Sequence, residues 1–533
     1  MLSQFPVLKF HSHAKRIRFR YFQRSNKNVH AEKDPIARVE LSSPPYALYA
    51  ADTHCFIGLN GCGKTQLITR IVDDTVSGSR MERVKQAKKL CVGMHNITEQ
   101  LLFVKRYRQE FVSNVLGGVS SPDAKDLIVR FGLYGLWSAK VKHLSTGEIR
   151  KLMLARLLIQ VPRPDVIFLD QPFDGLDENG RKQVEWMMTQ LTRGFSKLLV
   201  DTGGKNKAFA YKTQIVVIVS CLEYIPIDII THAIVIGKQQ SGRINGENHP
   251  YLQVIPSDQT PAGKKALLDW VKAFMWKENV ALRHFFQHSE DEIQRALAFL
   301  YKEQSVLASN EPILTLENVS FAYRNKDFLL KNVTFQRRPR EHWVLLGPNG
   351  SGKSSLTRLM LSDSLRHKIH DGKLCVSIPT GEDKKIRAIS TDMHIALLEK
   401  ALRTESNQSS KDLILGDAIS QEHANIAADL LGISQVILGR QFQTLSHGEQ
   451  KLVMIAQALA AAPQILILDE ITHGLDDFNQ KHVLRIIDRM SRIVPKETVV
   501  HLIMITHRKD EITACFQNHV YRIQNKNLVA AGK

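Results

Sequence analysis

Two glycine-rich octapeptides of the chain have the residue types needed to hold phosphate. They read GLNGCGKT at 58–65 and GPNGSGKS at 347–354, and each lies between an apolar run and a helical stretch. Glycines at such a strand-to-helix junction let backbone N–H groups converge on phosphate oxygens. The lysine would reach the β- and γ-phosphates, and the hydroxyl after it would ligate Mg²⁺. The predicted nucleotide-binding residues are Gly58, Asn60, Gly61, Gly63, Lys64, Thr65, Gly347, Asn349, Gly350, Gly352, Lys353, Ser354 and Ser355.

An acidic element follows each glycine-rich loop. VIFLDQPFDGLD covers residues 166–177, and ILILDEITHGLD covers residues 465–476. Each begins as an apolar strand that ends in an aspartate, whose carboxylate typically holds Mg²⁺, often through water. The predicted metal ligands are Thr65, Asp170, Ser354 and Asp469. The next residue is Gln171 in the first element and Glu470 in the second, and a glutamine cannot take a proton from water.

A third motif completes an internal repeat. LSTGE at 144–148 recurs as LSHGE at 445–449, and each opens a helical stretch. Three motifs in the same order and at nearly constant spacing indicate two tandem homologous domains. In both halves apolar strands alternate with helical segments, which predicts an α/β fold with a largely parallel core sheet.

With these residues the sequence resembles the ATP-binding cassette (ABC) ATPases over nearly its whole length. HLSTGEIRKL followed by DQPFDGLD is most similar to the ModF or photorepair type of tandem cassette protein, which lacks membrane segments and has eukaryotic (fungal, mitochondrial) relatives. The resemblance implies two P-loop NTPase domains packed head to tail, a helical connector, and ATP and Mg²⁺ as cofactors. Each signature loop, the LSxGE segment, would close over ATP held by the other domain. The residues concerned are Ser145, Thr146, Gly147 and Glu148 for ATP at Lys353, and Ser446, His447, Gly448 and Glu449 for ATP at Lys64.

The resemblance also implies catalytic roles. In this family the acid after the strand aspartate polarises the attacking water, and a histidine further along the chain contacts the γ-phosphate. The second half has both, Glu470 and His507. The first half has Gln171 instead of the acid and Ser220 in the place of the histidine. We therefore expect one complete site, at Lys353, and one site that mainly binds ATP.

Three other assignments follow from the resemblance. Tyr323 matches the aromatic residue that stacks on adenine, the alternative being an ordinary strand residue. His232 lies beyond the expected histidine position and is interpreted as a structural strand residue. The glutamine that usually contacts Mg²⁺ has Gln100 as a candidate in the first half. In the second half Ser390 or Thr391 occupies its place, which departs from the family pattern.

The motifs divide the chain into four predicted segments: a basic extension (1–24), the first ATPase domain (25–256), a connector (257–312) and the second ATPase domain (313–533). The extension is basic, aromatic and free of acidic residues, as mitochondrial transit peptides are. A mitochondrial location, in the matrix or at the periphery of the inner membrane, is therefore expected. In the alternative, RIRFRYF is the first strand of the domain and the protein is cytosolic. Helical spacing of apolar residues in the connector predicts amphipathic helices packed on a domain.

Composition and charge limit the partners. The chain has 533 residues and a net charge of +19, and no apolar stretch is long enough to span a membrane. Its six cysteines lack metal-ligand spacing, which argues against a disulfide framework or a zinc site. We expect an ATPase that pairs its own two domains and serves a separate membrane permease.

Two alternatives remain open at this point. The first is a factor that acts on the ribosome or on nucleic acid, which the net charge favours. The charge-balanced connector and Gln171 argue against it. The second is a regulatory module switched by ATP, against which Glu470 and His507 argue.

Overall fold

The structure is a computed structural model, and the residues it describes are 6–13, 16–23, 39–40, 46–48, 53–60, 62, 64, 92–95, 97–117, 129–159, 166–193, 214–238, 250–257, 259–286, 288–302, 312–322, 328–338, 340–361, 366–376, 386–403, 408–492 and 500–531. Outside them lie four predicted site residues, Gly61, Gly63, Thr65 and Tyr323. The chain divides into two compact units, unit 1 (Met1–Leu282) and unit 2 (Arg283–Lys533).

Unit 1 alternates strands and helices after an all-strand beginning. Its described elements are β1 (Pro6–His13), β2 (Arg16–Gln23), β3 (Val39–Glu40), β4 (Tyr46–Leu48), β5 (Thr53–Ile57), β6 (Val92–His95), α1 (Ile97–Tyr107), α2 (Val112–Val115), α3 (Thr146–Ile159), β7 (Val166–Asp170), α4 (Glu178–Arg193), β8 (Gln214–Val219), β9 (His232–Lys238), β10 (Pro250–Pro256) and α5 (Pro261–Phe286).

The core sheet of unit 1 has seven described strands in the order β3-β10-β9-β5-β8-β7-β6. The five from β9 to β6 are parallel, whereas β10 runs antiparallel to both of its neighbours. Strands β5 and β8 are buried along their whole length, as expected for parallel strands covered on both faces. Leu152 of α3, Val184 of α4 and Val271 of α5 belong to the same apolar core.

The basic N-terminal segment takes part in a second sheet of unit 1. Strands β2, β1 and β4 form an antiparallel sheet in that order, and β1 pairs with β2 from Pro6↔Gln23 to His13↔Arg16. RIRFRYF is therefore a strand, as the alternative interpretation of this segment expected. Unit 1 thus includes residues that the sequence assigned to an extension before residue 25.

Unit 2 also alternates strands and helices. Its described elements are α6 (Glu290–Leu300), β11 (Leu314–Ala322), β12 (Phe328–Arg337), β13 (Trp343–Leu346), α7 (Lys353–Leu361), β14 (Ile369–Val376), β15 (Ile386–Ile389), α8 (Thr391–Arg403), α9 (Ser410–Asp417), α10 (Gln421–Leu430), α11 (Gln435–Leu438), α12 (His447–Ala460), β16 (Ile465–Asp469), α13 (Asp477–Met490), β17 (His501–Thr506), β18 (Val520–Gln524) and β19 (Asn527–Ala530).

The core sheet of unit 2 repeats the strand order of unit 1. Its order is β15-β16-β17-β13-β18-β19, which corresponds strand by strand to β6-β7-β8-β5-β9-β10. All neighbours are parallel except the edge pair β18 and β19. Strand β13, which precedes the glycine-rich loop, lies beside β17, which precedes His507. Strand β16, which ends in Asp469, lies on the other side of β17. The C-terminal ends of these strands therefore meet at one sheet edge, where parallel α/β sheets bind ligands.

The predicted connector consists largely of two helices, α5 and α6, and the predicted helical spacing is confirmed. Leu267, Val271 and Met275 of α5 are buried in the core of unit 1. Helix α6 begins with a capping box between Ser289 and Glu292, and it packs against α10 and α13 of unit 2. The boundary between the units falls inside α5, so each connector helix packs mainly on its own unit. Among the described residues no helix has the length and apolarity needed to cross a membrane.

Candidate active site

The glycine-rich loop of unit 2 joins β13 to α7. Gly350 and Gly352 have φ values of +78° and +99°, a conformation that favours glycine. The Lys353 ammonium donates hydrogen bonds to the carbonyl oxygens of Gly347 (2.8 Å) and Pro348 (2.7 Å). The lysine is thus folded over the loop, beside the backbone N–H groups at the N-terminus of α7. This arrangement fits the phosphate group of a nucleotide.

The predicted metal ligands of unit 2 lie together. Asp469 ends β16, and its carboxylate accepts a hydrogen bond from the Ser354 hydroxyl at the start of α7. Burial, followed by the neighbouring Glu470, raises the pKa of the Asp469 carboxyl above its usual range. Both side chains line a cavity of about 400 Å³ together with Ser390. A hydroxyl and a carboxylate beside open space suit Mg²⁺, which prefers oxygen ligands and keeps several waters.

Glu470 lies between two histidines. Its carboxylate oxygens are 3.1 Å from Nδ1 of His473 and 3.5 Å from Nδ1 of His507. Burial alone would raise the pKa of Glu470, but the two imidazoles hold it well below its usual range. The carboxyl group is therefore ionised, as a base must be before it takes a proton.

The backbone turn after β16 places these groups. Glu470 has a φ of +50°, and its N–H donates to the carbonyl oxygen of Ile505 on β17 (2.9 Å). Glu511, which is fully buried, accepts hydrogen bonds from the hydroxyls of Thr472 and Thr506. It thereby links the turn after Glu470 to the strand end before His507. Glu511 and His473 were not predicted from the sequence: Glu511 lies outside the repeated motifs, and His473, although inside the second acidic element, has Asp174 rather than a histidine as its counterpart in the first.

The glycine-rich loop of unit 1 has the same lysine geometry in its described residues. The Lys64 ammonium donates to the carbonyl oxygens of Gly58 (2.5 Å) and Leu59 (2.8 Å). A Cβ atom at Gly58 would lie 2.6 Å from the carbonyl oxygen of Ile236, so this close approach requires glycine. Asn60 lies in the turn that follows, and Asp170 ends β7 as Asp469 ends β16.

Gln171 occupies the position of Glu470 with a different side-chain environment. Its φ is +51°, and its N–H donates to the carbonyl oxygen of Ile218 on β8 (3.0 Å). Its amide nitrogen donates to the Ser220 hydroxyl at 2.6 Å, where unit 2 has a histidine. The backbone is therefore conserved between the units while the general base is absent from unit 1.

A buried arginine holds the turn after β7. Arg150 donates to the carbonyl oxygens of Gln171 (3.0 Å) and Asp174, and its Nε donates to Oε1 of Gln100 (3.2 Å). Gln100, the candidate for the Mg²⁺-contacting glutamine, is thus bonded to Arg150. Arg150 was not predicted as a site residue, although it lies two residues after the signature loop of unit 1.

Both signature loops form helix caps. Ser446 and Glu449 make a capping box at the start of α12, with distances of 2.8 Å and 3.4 Å between each backbone nitrogen and the partner side chain. Ser145 and Glu148 make the same pair of bonds at the start of α3. Gly147 and Gly448 are buried. Each is the second residue of its helix, after Thr146 in α3 and after His447 in α12. The His447 ring stacks on His394 with the ring centroids 5.0 Å apart.

Three other residues considered in the sequence are His232, Ser390 and Thr391. His232 begins β9, stacks on His54 and is 3.0 Å from the Thr231 hydroxyl through Nδ1. Burial lowers the pKa of His232 to about 4, which suits a neutral structural residue. In unit 2 Ser390 accepts a hydrogen bond from the N–H of Met393 (3.2 Å), and Thr391 begins α8.

In unit 2 a glycine-rich loop joins a central parallel strand to a helix beside an acidic strand end, which defines a P-loop nucleotide-binding domain. In its described residues unit 1 has the same strand order, the same lysine geometry and an acidic strand end. The family model described as "ABC transporter" (ABC_tran) matches residues 43–174 and 330–473. The chain belongs to this family, so ATP binding and hydrolysis are its general activity, and Mg²⁺ is the typical cofactor. The expected tandem ABC organisation is confirmed.

The chain is similar to several named proteins. It is 25% identical to the "ABC transporter ATP-binding protein ModF" of Escherichia coli (strain K12), over 92% of this chain and 94% of ModF. It is also 25% identical to the "Uncharacterized ABC transporter ATP-binding protein YDR061W" of Saccharomyces cerevisiae (strain ATCC 204508 / S288c), over 66% and 64% of the two chains. Among solved structures, the complex of archaeal ribosomal stalk protein aP1 and archaeal ribosome recycling factor aABCE1 matches with a TM-score of 0.45 and 15% identity, covering 89% of this chain and 83% of that one.

Proposed function

We propose that the protein is a Mg²⁺-dependent ATPase with one hydrolytic site, at Lys353, and one site at Lys64 that mainly binds ATP. The observation that carries this proposal is the contrast between Glu470 and Gln171. Glu470 is a carboxylate 3.1 Å and 3.5 Å from the Nδ1 atoms of His473 and His507. Gln171 is an amide that donates its hydrogen bond to Ser220. Loss of a general base typically costs about 10²–10⁴ in rate, so the Lys64 site would turn over slowly.

Each residue of the Lys353 site has a role in this reaction. The loop N–H groups and Lys353 would bind the β- and γ-phosphates, and Ser354 and Asp469 would hold Mg²⁺, which neutralises charge on the phosphate oxygens. Glu470 would accept a proton from the attacking water, and His507 would contact the γ-phosphate. The signature residues Ser145 and Gly147 of unit 1 are proposed to complete this site when the units pair head to tail.

The test of this proposal is the substitution Glu470→Gln, which makes unit 2 resemble unit 1 at this position. We expect steady-state ATP hydrolysis to fall by about 100-fold or more while ATP binding persists, because the phosphate-binding loop is unchanged. Glu317→Gln, the same exchange at an exposed position on β11, is the matched control and should retain the wild-type rate. Substantial turnover in Glu470→Gln would contradict the assignment of the base.

The biological role we propose is to power a separate membrane permease through closure of the two domains on ATP. The names of the relatives as ABC transporter ATP-binding proteins support this role. Affinity purification of the Glu470→Gln variant with ATP, which should trap the closed state, would identify the partner. Recovery of a membrane permease is expected, whereas recovery of ribosomes would favour the alternative role on the ribosome.

A mitochondrial location remains a proposal based on the basic composition of residues 1–24, with the cytosol as the alternative. Cleavage after residue 24 would remove strands β1 and β2. Cell fractionation combined with N-terminal sequencing of the mature protein distinguishes the two. A mitochondrial protein that begins after about residue 24 is expected, and a cytosolic protein that retains these strands would overturn the proposal.

A further inference from the structure

Three potential metal ligands of unit 2 come from two separate chain segments. Glu470 and His473 belong to the turn after β16, and His507 follows β17. One ligand atom from each residue lies within 4.8 Å of those of the other two. The two imidazole rings are 5.2 Å apart between centroids, with the carboxylate of Glu470 reaching both.

The donor set is chemically different from that of the Mg²⁺ site. Two imidazole nitrogens and one carboxylate oxygen suit Zn²⁺ and similar transition-metal ions, whereas Mg²⁺ prefers oxygen ligands. With metal–ligand bonds of about 2.0–2.1 Å, tetrahedral ligands are about 3.3 Å apart. In Glu470, Oε2 is 3.1 Å from Nδ1 of His473 and Oε1 is 3.5 Å from Nδ1 of His507, and one ligand atom from each of the three residues lies within 4.8 Å of the other two. Small side-chain movements would therefore bring three ligands around one ion.

Partial burial suits a site that also keeps a position for water. The side chains of His473, His507 and Glu470 are 5%, 9% and 15% exposed, so an ion can enter while the ligands remain held by their surroundings. Three protein ligands with one open position are typical of catalytic rather than closed structural zinc sites.

Unit 1 provides an internal comparison. The corresponding residues are Gln171, Asp174 and Ser220, so none of the three ligands of unit 2 is repeated. Gln171 already donates to the Ser220 hydroxyl at 2.6 Å. The cluster is thus specific to unit 2, and one such site per chain is expected among the described residues.

We propose that Glu470, His473 and His507 form a binding site for one Zn²⁺-class transition-metal ion. An ion bound there occupies the lone pair with which Glu470 would accept a proton, so it inhibits ATP hydrolysis. The inhibitory consequence rests on the proposed function, whereas ion binding does not. The cysteine spacing that disfavours a cysteine-ligated zinc site has no bearing on this cluster, which contains no cysteine.

The binding test uses the full-length, untagged, metal-free chain without nucleotide. Zn²⁺ is titrated against a chromophoric chelator in the presence of millimolar Mg²⁺. Because removal of even an outer partner of a metal ligand typically costs 10–100-fold in affinity, His473→Ser and His507→Ser should each weaken Zn²⁺ binding by about 100-fold or more. His370→Ser, which changes an exposed histidine on β14, is the matched control and should bind as the wild type does. Equal binding by the wild type and both cluster variants would overturn the site.

The inhibition test compares each protein with its own metal-free rate of ATP hydrolysis. Zn²⁺ should inhibit the wild type at the concentration that fills the site, and His473→Ser should require about 100-fold more. Saturated binding without inhibition would overturn the inhibitory consequence while the site stands. A chain that binds Zn²⁺ but never hydrolyses ATP would instead contradict the proposed function.

Discussion

Gln171 and Glu470 occupy corresponding positions, directly after β7 and β16. Their φ values are +51° and +50°, and each backbone N–H donates to a carbonyl oxygen of the neighbouring strand. Non-glycine residues in this conformation are uncommon and occur often at functional sites. The backbone therefore presents the side chain in the same way in both units, and the change of one carboxylate to an amide decides which unit has a base.

Gly474, in the turn after His473, illustrates a steric requirement at a single residue. Its φ is +80°, and an added Cβ atom would lie 2.4 Å from Nδ1 of His447. Gly474→Ala should therefore lower the free energy of unfolding of unit 2 by about 1–3 kcal/mol, measured by urea denaturation.

A matched substitution separates this steric effect from the general effect of replacing glycine by alanine. A Cβ atom at Gly416, in helix α9, meets nothing within 4 Å. Gly416→Ala should leave the stability unchanged or raise it by up to about 1 kcal/mol, because alanine favours the helix. Equal effects of the two substitutions would show that Gly474 is not sterically required.

At the scale of elements, two buried histidines lie where β13 and β17 begin. His342 accepts a hydrogen bond at Nδ1 from the N–H of Leu502 (3.1 Å), and its ring is 6.1 Å from that of His501 between centroids. Burial and then His519 lower the pKa of His342 to about 4. Burial, followed by His342, Arg337 and His519, lowers the pKa of His501 to about 3. Both rings are therefore neutral in the folded unit.

This burial makes the stability of unit 2 depend on pH. Since the pKa of His501 is lower in the folded state than the ordinary value of about 6.5, its contribution is complete above pH 6.5 and is lost as the pH falls towards 3. Between pH 7 and pH 5 the wild type should lose about 2 kcal/mol more free energy of unfolding than His501→Leu. Urea denaturation of both proteins at the two pH values measures this difference. Parallel losses would indicate that His501 does not drive the acid sensitivity.

Much of the element arrangement could be predicted because local signals and the internal repeat agree. The glycine-rich loops, the apolar strands ending in Asp170 and Asp469, and the helices after the signature loops follow from short patterns. The placement of RIRFRYF could not be decided, since a basic aromatic run suits both a strand and a transit peptide. His473 and Glu511 were missed because their roles depend on contacts between the ends of two strands, which no local pattern records.

At the scale of the whole molecule, duplication has kept the fold while the chemistry of its two halves has diverged. The core sheets share one strand order, from β6 to β10 in unit 1 and from β15 to β19 in unit 2. Both units keep the lysine that folds over its loop. Only unit 2 has the catalytic residues Glu470 and His507. Unit 1 would therefore contribute to hydrolysis through the residues that it supplies to the Lys353 site. Its signature loop is the part that the family resemblance assigns to this task.

Gly147→Asp tests that assignment, because Gly147 and Lys353 belong to different units. If Gly147 meets the γ-phosphate of ATP at Lys353, the added carboxylate places like charge against like charge in a poorly solvated contact. Hydrolysis should then stop as thoroughly as in Lys353→Ala, while ATP binding measured with a fluorescent analogue persists. An acidic residue is favourable in the first turn of a helix, so α3 should still form, and circular dichroism checks this. Gly448→Asp, the matching change in unit 2, would face the Lys64 site and should impair pairing of the units without removing a catalytic group. A fully active Gly147→Asp protein would mean that unit 2 hydrolyses ATP without the signature loop of unit 1.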